Sequence, residues 1–230
     1  MKSRHTTVRS ITLGLLVVAF TAGAFAADDK ASVDGILKQV DKVTKGTKGI
    51  TAQVTLIDVE AGEEKTNESG TAFVSMEGKL RIELSGDDPK TILCTPSDLF
   101  VHSPSKMVYE QFKLQQHPER LEQYALLGFA PSGSALKKDF LITLIEESSL
   151  EGSKVALLEL TPTRDDLRAA VSKIQLWIDQ STYLPIQQRM FHGSADTHLT
   201  VRYRDVSRDD KLDQAKFKPN WPKGTKKVKP

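Results

Sequence analysis

Apolar residues recur at helical spacing at Val33, Ile36, Leu37, Val40 and Val43, which puts them on one face of a helix from Ser32 to Val43. Ser32 supplies a cap, and Gly46 and Gly49 lie beyond its end. From Ile50 the period changes to two. Ile50, Ala52, Val54 and Leu56 alternate with polar residues, a charged turn containing glycine follows, and Ala72, Val74 and Met76 alternate again. Leu80, Ile82 and Leu84 face one way while Lys79, Arg81 and Glu83 face the other, the pattern of a strand wetted on one side. Shorter strands are predicted at Thr91 to Cys94, Leu99 to His102 and Met107 to Phe112, separated by Pro- and Ser-containing turns.

Pro118 opens a second helical stretch to about Phe129, with Leu121, Tyr124, Ala125, Leu126 and Leu127 as its apolar face. A helical turn around Ala135 to Lys138 precedes a hairpin of Phe140 to Ile145 with Val155 to Leu160. Strands at Val171 to Ile178, Leu184 to His192 and Thr197 to Val206 complete the pattern. About ten or eleven strands in hairpin order, with no alternation of strand and helix, predict a mainly β fold of the α+β kind: one strongly curved antiparallel sheet or barrel. Such a sheet either closes or leaves its concave face for other elements to cover, and the two amphipathic helices are available for that.

The first 26 residues read as a secretory signal peptide. Lys2, Arg4 and Arg9 are basic, Ile11 to Phe20 is apolar, and Ala24-Phe25-Ala26 is a cleavage site. Position 27 is Ala rather than the Cys that a bacterial lipoprotein would carry, so residues 27–230 are expected to form a single soluble exported domain. The lone Cys94 lies in an apolar run, where a buried thiol is expected. Residues 27–215 hold 23 basic and 30 acidic side chains, and the six remaining lysines fall in an acid-free tail at 216–230. An acidic body argues against a nucleic-acid partner, and the tail is expected to be a solvated end.

No constellation of catalytic residues stands out. The five histidines are scattered, with no metal-ligand spacing and no GxSxG elbow, and the pairs Asp87-Asp88, Asp165-Asp166 and Asp209-Asp210 sit in turn-like settings. No enzyme, no metal and no cofactor is expected. The sheet instead offers apolar residues for one interior: Val54, Leu56, Val74, Leu80, Ile82, Leu84, Ile92, Phe100, Val108, Ile142 and Leu144, joined by Leu126, Leu127 and Phe129 from the middle helix. A packed core and a ligand cavity are both compatible with this pattern.

Several short motifs occur in a suggestive order. They are Gly70-Thr71-Ala72-Phe73 leading to Gly78-Lys79-Leu80-Arg81-Ile82-Glu83, then Ser97-Asp98-Leu99-Phe100-Val101-His102-Ser103-Pro104, then Leu158-Glu159-Leu160-Thr161-Pro162, and Lys211-Leu212-Asp213 through Phe217 to Pro222-Lys223-Gly224. In this order the chain resembles the periplasmic outer-membrane lipoprotein carrier family, LolA-like. The resemblance implies an incomplete β-barrel covered by an N-terminal helix and a mid-chain helical lid, with a hydrophobic cavity for acyl chains. It adds Met76 to the cavity residues and makes Tyr124, Leu126, Leu127 and Phe129 the lid, with Pro131-Ser132-Gly133 as its hinge. It further implies a monomeric periplasmic shuttle taking acylated lipoproteins from an inner-membrane ABC-type release complex to an outer-membrane acceptor lipoprotein or the outer membrane. Met76 stands where the family carries an arginine that latches the lid, so carriage or sensing of another envelope lipid, or a filled core, remains an alternative.

Overall fold

The computed structural model describes residues 32–115 and 133–229. Helix α1 (Val33–Thr44) begins where Ser32 accepts a hydrogen bond from the Gly35 amide at 3.0 Å. There follow β1 (Gly49–Glu60), β2 (Glu63–Ser75), β3 (Lys79–Ser85), β4 (Lys90–Cys94), β5 (Asp98–Ser103) and β6 (Val108–Lys113). The second half holds α2 (Gly133–Asp139), β7 (Phe140–Leu150), β8 (Ser153–Pro162), α3 (Asp165–Ala170), β9 (Lys173–Asp179), β10 (Pro185–Phe191), β11 (His198–Asp209) and β12 (Lys226–Lys227). The strands form one sheet of 12, in the order β12-β6-β5-β4-β3-β2-β1-β11-β10-β9-β8-β7. Its ends do not join, so the expected incomplete barrel is what the chain builds.

The long β1–β2 hairpin departs from the sequence reading. The stretch expected as a charged turn is strand, with Asp58 opposite Thr66 and the turn confined to Ala61-Gly62, both at positive φ. Residues 61–67 are exposed on both faces, so no alternation marks them. Helix α3 was not expected either. Asp165 and Asp166 occupy its first turn, where acidic side chains suit the helix dipole.

Curvature is set in part at Gly70, which lies between Val54 of β1 and Leu84 of β3. A Cβ there would stand 2.0 Å from the Glu83 carbonyl oxygen and 2.8 Å from the Leu84 Cα, so only glycine permits this approach. The concave face carries the main apolar cluster, and α1 lies against it with Ile36 and Leu37 buried and Val33, Val40 and Val43 packed alongside. The second helix is tied to the first: the Gly133 amide donates to the Asp41 carboxylate, and Lys137 pairs with Asp34.

On the convex face, Leu93, Phe100, Leu212 and Phe217 form a second buried cluster with Phe73, Tyr109 and Trp221 against it. The C-terminal segment is therefore a strap rather than a solvated end. Past Trp221 it joins the sheet edge, with Lys226 N–H donating to the Met107 carbonyl at 3.0 Å and Val228 N–H to that of Tyr109 at 2.9 Å. The Trp221 ring stacks on His102 at 4.5 Å between centroids. Arg81, on the wetted side of β3 as expected, lies under this strap and donates to the Lys216 carbonyl at 3.2 Å.

Two outcomes are expected. Gly70→Ala destabilises the protein by about 3 kcal/mol or more, read from the urea midpoint, because backbone must move to admit the methyl group. His102 is 3% exposed, and its burial, with the Arg81 charge second, lowers its pKa from the ordinary 6.5. An unfolded chain takes up a proton near that pH and the folded imidazole does not. Stability is therefore full above pH 6.5 and lost as pH falls from there through the depressed value; His102→Gln removes this part of the pH dependence, as urea midpoints over the acid range will show.

The concave face as candidate binding site

Successive strands alternate their side chains across the sheet, so register decides which residues meet inside the curve. Val54 and Leu56 of β1, Val74 of β2, Leu80, Ile82 and Leu84 of β3 and Ile92 of β4 all fall in the concave cluster, each at most 8% exposed. Met76, Ile142 and Leu144 are partly buried at its margin. Val108 pairs with Ser103, which puts it on the same face as Phe112 at the end of β6, half-buried and outside the buried cluster. Phe100 is the exception. Its neighbours Leu99 and Val101 point into the curve, so period-two geometry turns Phe100 outward into the convex cluster with Leu93 and Leu212. The lid residues Tyr124, Leu126, Leu127 and Phe129 lie outside the described residues, as do Pro131 and Ser132 of the expected hinge; Gly133 opens α2.

The face is aliphatic and its middle is lined by small residues, with Ala52 opposite Ala72, and Ala156 farther along. Cys94, buried as expected, belongs to the same surface. Two polar side chains interrupt it. Gln188 pairs with Leu176 and Val201 and is 1% exposed; Tyr203 pairs with Val54 and is 5% exposed. Burial pushes the Tyr203 phenol upward, so it stays protonated and can donate a hydrogen bond. Both lie where simple alternation puts them, Gln188 with Met190 and Tyr203 with Val201, but a polar side chain on a strand carries no sign in the sequence that it faces inward. Among the described residues, no group of three His, Cys, Asp or Glu side chains is placed to hold a metal ion.

No family model and no curated protein matches this chain. Solved structures do. An uncharacterized conserved protein from Thermus thermophilus is similar at a TM-score of 0.53 and 13% identity, over 85% of this chain and 97% of that one. A LolA superfamily protein from Nitrosomonas europaea is similar at a TM-score of 0.43 and 14% identity, over 81% and 97%. A DUF1329 family protein from Desulfovibrio piger is similar at 0.49 and 13%, over 83% and 97%. The likeness is one of fold.

The division into two faces has a direct test. Phe100→Ala is expected to cost about 3–5 kcal/mol and to speed amide exchange at Lys226 and Val228, because it hollows the cluster that seats the strap. Uptake of the apolar dye N-phenylnaphthylamine should be unchanged, since Phe100 takes no part in the concave face.

Proposed function

We propose that the protein is an exported carrier that shields acyl chains against the concave face of its sheet. The observation that carries this reading is the conjunction of an unclosed sheet with a largely aliphatic inner surface, interrupted at Gln188 and Tyr203 and crossed among the described residues by α1 and α2. Removing an acyl chain from water is worth roughly 0.8 kcal/mol per methylene, so a chain of about fifteen carbons approaches 12 kcal/mol before ordering costs. A donor or acceptor membrane competes at the same scale. A surface of Val, Leu, Ile and Ala side chains suits reversible transfer, because it offers apolar contact without a rigid aromatic fit. Among the described residues no helix is long and apolar enough to cross a membrane.

The finer reading follows the resemblance of the motifs. The signal peptide at 1–26 delivers the domain to the periplasm, where lipoproteins are received from an ABC-type release complex in the inner membrane and passed to an outer-membrane acceptor. The site is made by Val54, Leu56, Val74, Leu80, Ile82, Leu84 and Ile92, with Met76, Val108, Ile142 and Leu144 at its margin and the segment of Tyr124 to Phe129 as the cover. A filled interior is the second reading, and the near-zero exposure of Leu80 and Ile82 favours it.

Native mass spectrometry of protein taken from its own periplasm separates the two. The carrier reading expects bound acylated polypeptide in stoichiometric amount; free lipid redirects it to another envelope lipid, and an empty chain supports the filled interior. Ala72→Phe sharpens the comparison. In a carrier the added ring occupies ligand space and lowers cargo retention with little change in stability, whereas in a filled core it costs about 1–3 kcal/mol.

A further inference from the structure

The sheet contains a gap that the acyl-chain surface does not use. The β10–β11 ladder ends at the pair Gln187 and Arg202, while β11 continues to Asp209 paired only with β1. Two irregularities open the space: β10 slips against β9 between Pro185 and Gln187, and β11 bulges near Asp205, which has a positive φ of 51°. The result is a cavity of about 360 Å³ bounded by residues 202–206 and the turn after β9. That volume lies at the lower end of small-molecule sites.

The charges around it fall into two groups. Asp179 is committed to its own turn, accepting from the Ser181 and Thr182 amides at 2.8 and 2.9 Å, and Glu151 faces Arg204 at 3.6 Å. Arg202 and Asp205 have no such partner among the described residues. Between them Gln187 is 7% exposed, and its carboxamide, which can both donate and accept, makes no hydrogen bond to a described residue. Leu184 and Tyr203 line the same cavity and also belong to the concave apolar cluster, so the gap is continuous with that surface.

We infer that this gap binds the zwitterionic headgroup of an amphiphile, its anionic part against Arg202, its cationic part against Asp205, and Gln187 bonded to the atoms between. The inference rests on the reading of the concave face as an acyl-chain site, since the tail leaves the gap along Leu184 and Tyr203. It narrows the ligand class from any apolar chain to one whose head carries both charges.

The test uses the mature protein and four probes: dihexanoylphosphatidylethanolamine, its anionic counterpart dihexanoylphosphatidylglycerol, free phosphoethanolamine, and N-phenylnaphthylamine, which has no headgroup. The zwitterionic lipid should bind more tightly than the anionic one, and Arg202→Gln and Gln187→Leu should each weaken it roughly tenfold or more in calorimetry, leaving dye uptake unchanged. Arg202 is exposed, so its variant will fold even if Gln187→Leu does not. Equal binding of both lipids, or zwitterionic binding indifferent to Arg202→Gln, overturns the inference. Free phosphoethanolamine binding as tightly as the lipid, with the same sensitivity to Arg202→Gln, overturns the amphiphile and leaves a site for a small zwitterion. Failure of the dye alone, with the lipid still sensitive to the variants, counts against the concave face and not against the gap.

Discussion

A single antiparallel ladder running from β12 to β7 without its ends meeting has two faces to remove from water, and the fold is organised around that requirement. Bending the sheet brings aliphatic side chains from its two wings toward one another, and α1 lies across them. The bend is possible because β2 and β3 approach at Gly70 more closely than any side chain allows. Around that point Val54 and Leu84 flank the glycine on the concave side, so the residue that permits the curve also sits within the candidate site.

The convex face is protected in two different ways. Over β3 to β6 the C-terminal strap buries Leu212 and Phe217 against Leu93 and Phe100, and its last strand caps the edge of β6. Over β8 to β10 the cover among the described residues is of another kind. There the long cationic side chains cover the rings themselves, with Lys173 over Phe191 at 5.0 Å and Arg189 over Trp177 at 5.6 Å, while Lys173 also meets Glu159 at 3.0 Å. The opposite edge, β7, leaves Leu141 and Ile145 exposed, so the two margins of the sheet differ in chemistry as well as in position.

A carrier and a packed domain use the same apolar residues, and volume is what separates them. Ala52, Ala72 and Ala156 lower the side-chain volume along the middle of the concave face. Gln188 and Tyr203 place hydrogen-bonding groups on the same face, which an interior built only for stability would gain little by holding. Both features lie on β-strands of the scaffold, where geometry is held more firmly than on loops.

What the chain determined by itself was set by short-range periodicity. Helical spacing from Val33 to Val43 and the alternation through Val54, Val74 and Ile82 specify element type and inward face, since each depends only on neighbours two to four residues away. The same rule failed where that locality breaks. Phe100 is expected inward although its position between Leu99 and Val101 turns it out, the polar arm of the first hairpin carries no alternation, and a polar Gln188 at an inward position gives no sign of its burial. Tertiary structure alone decided that the lysine tail becomes a strap, because the partners of Trp221 lie on strands more than a hundred residues earlier. It also decided the gap between β10 and β11, where irregularities in two ladders, one against β9 and one against β1, must coincide in space to bring Gln187, Arg202 and Asp205 to one cavity.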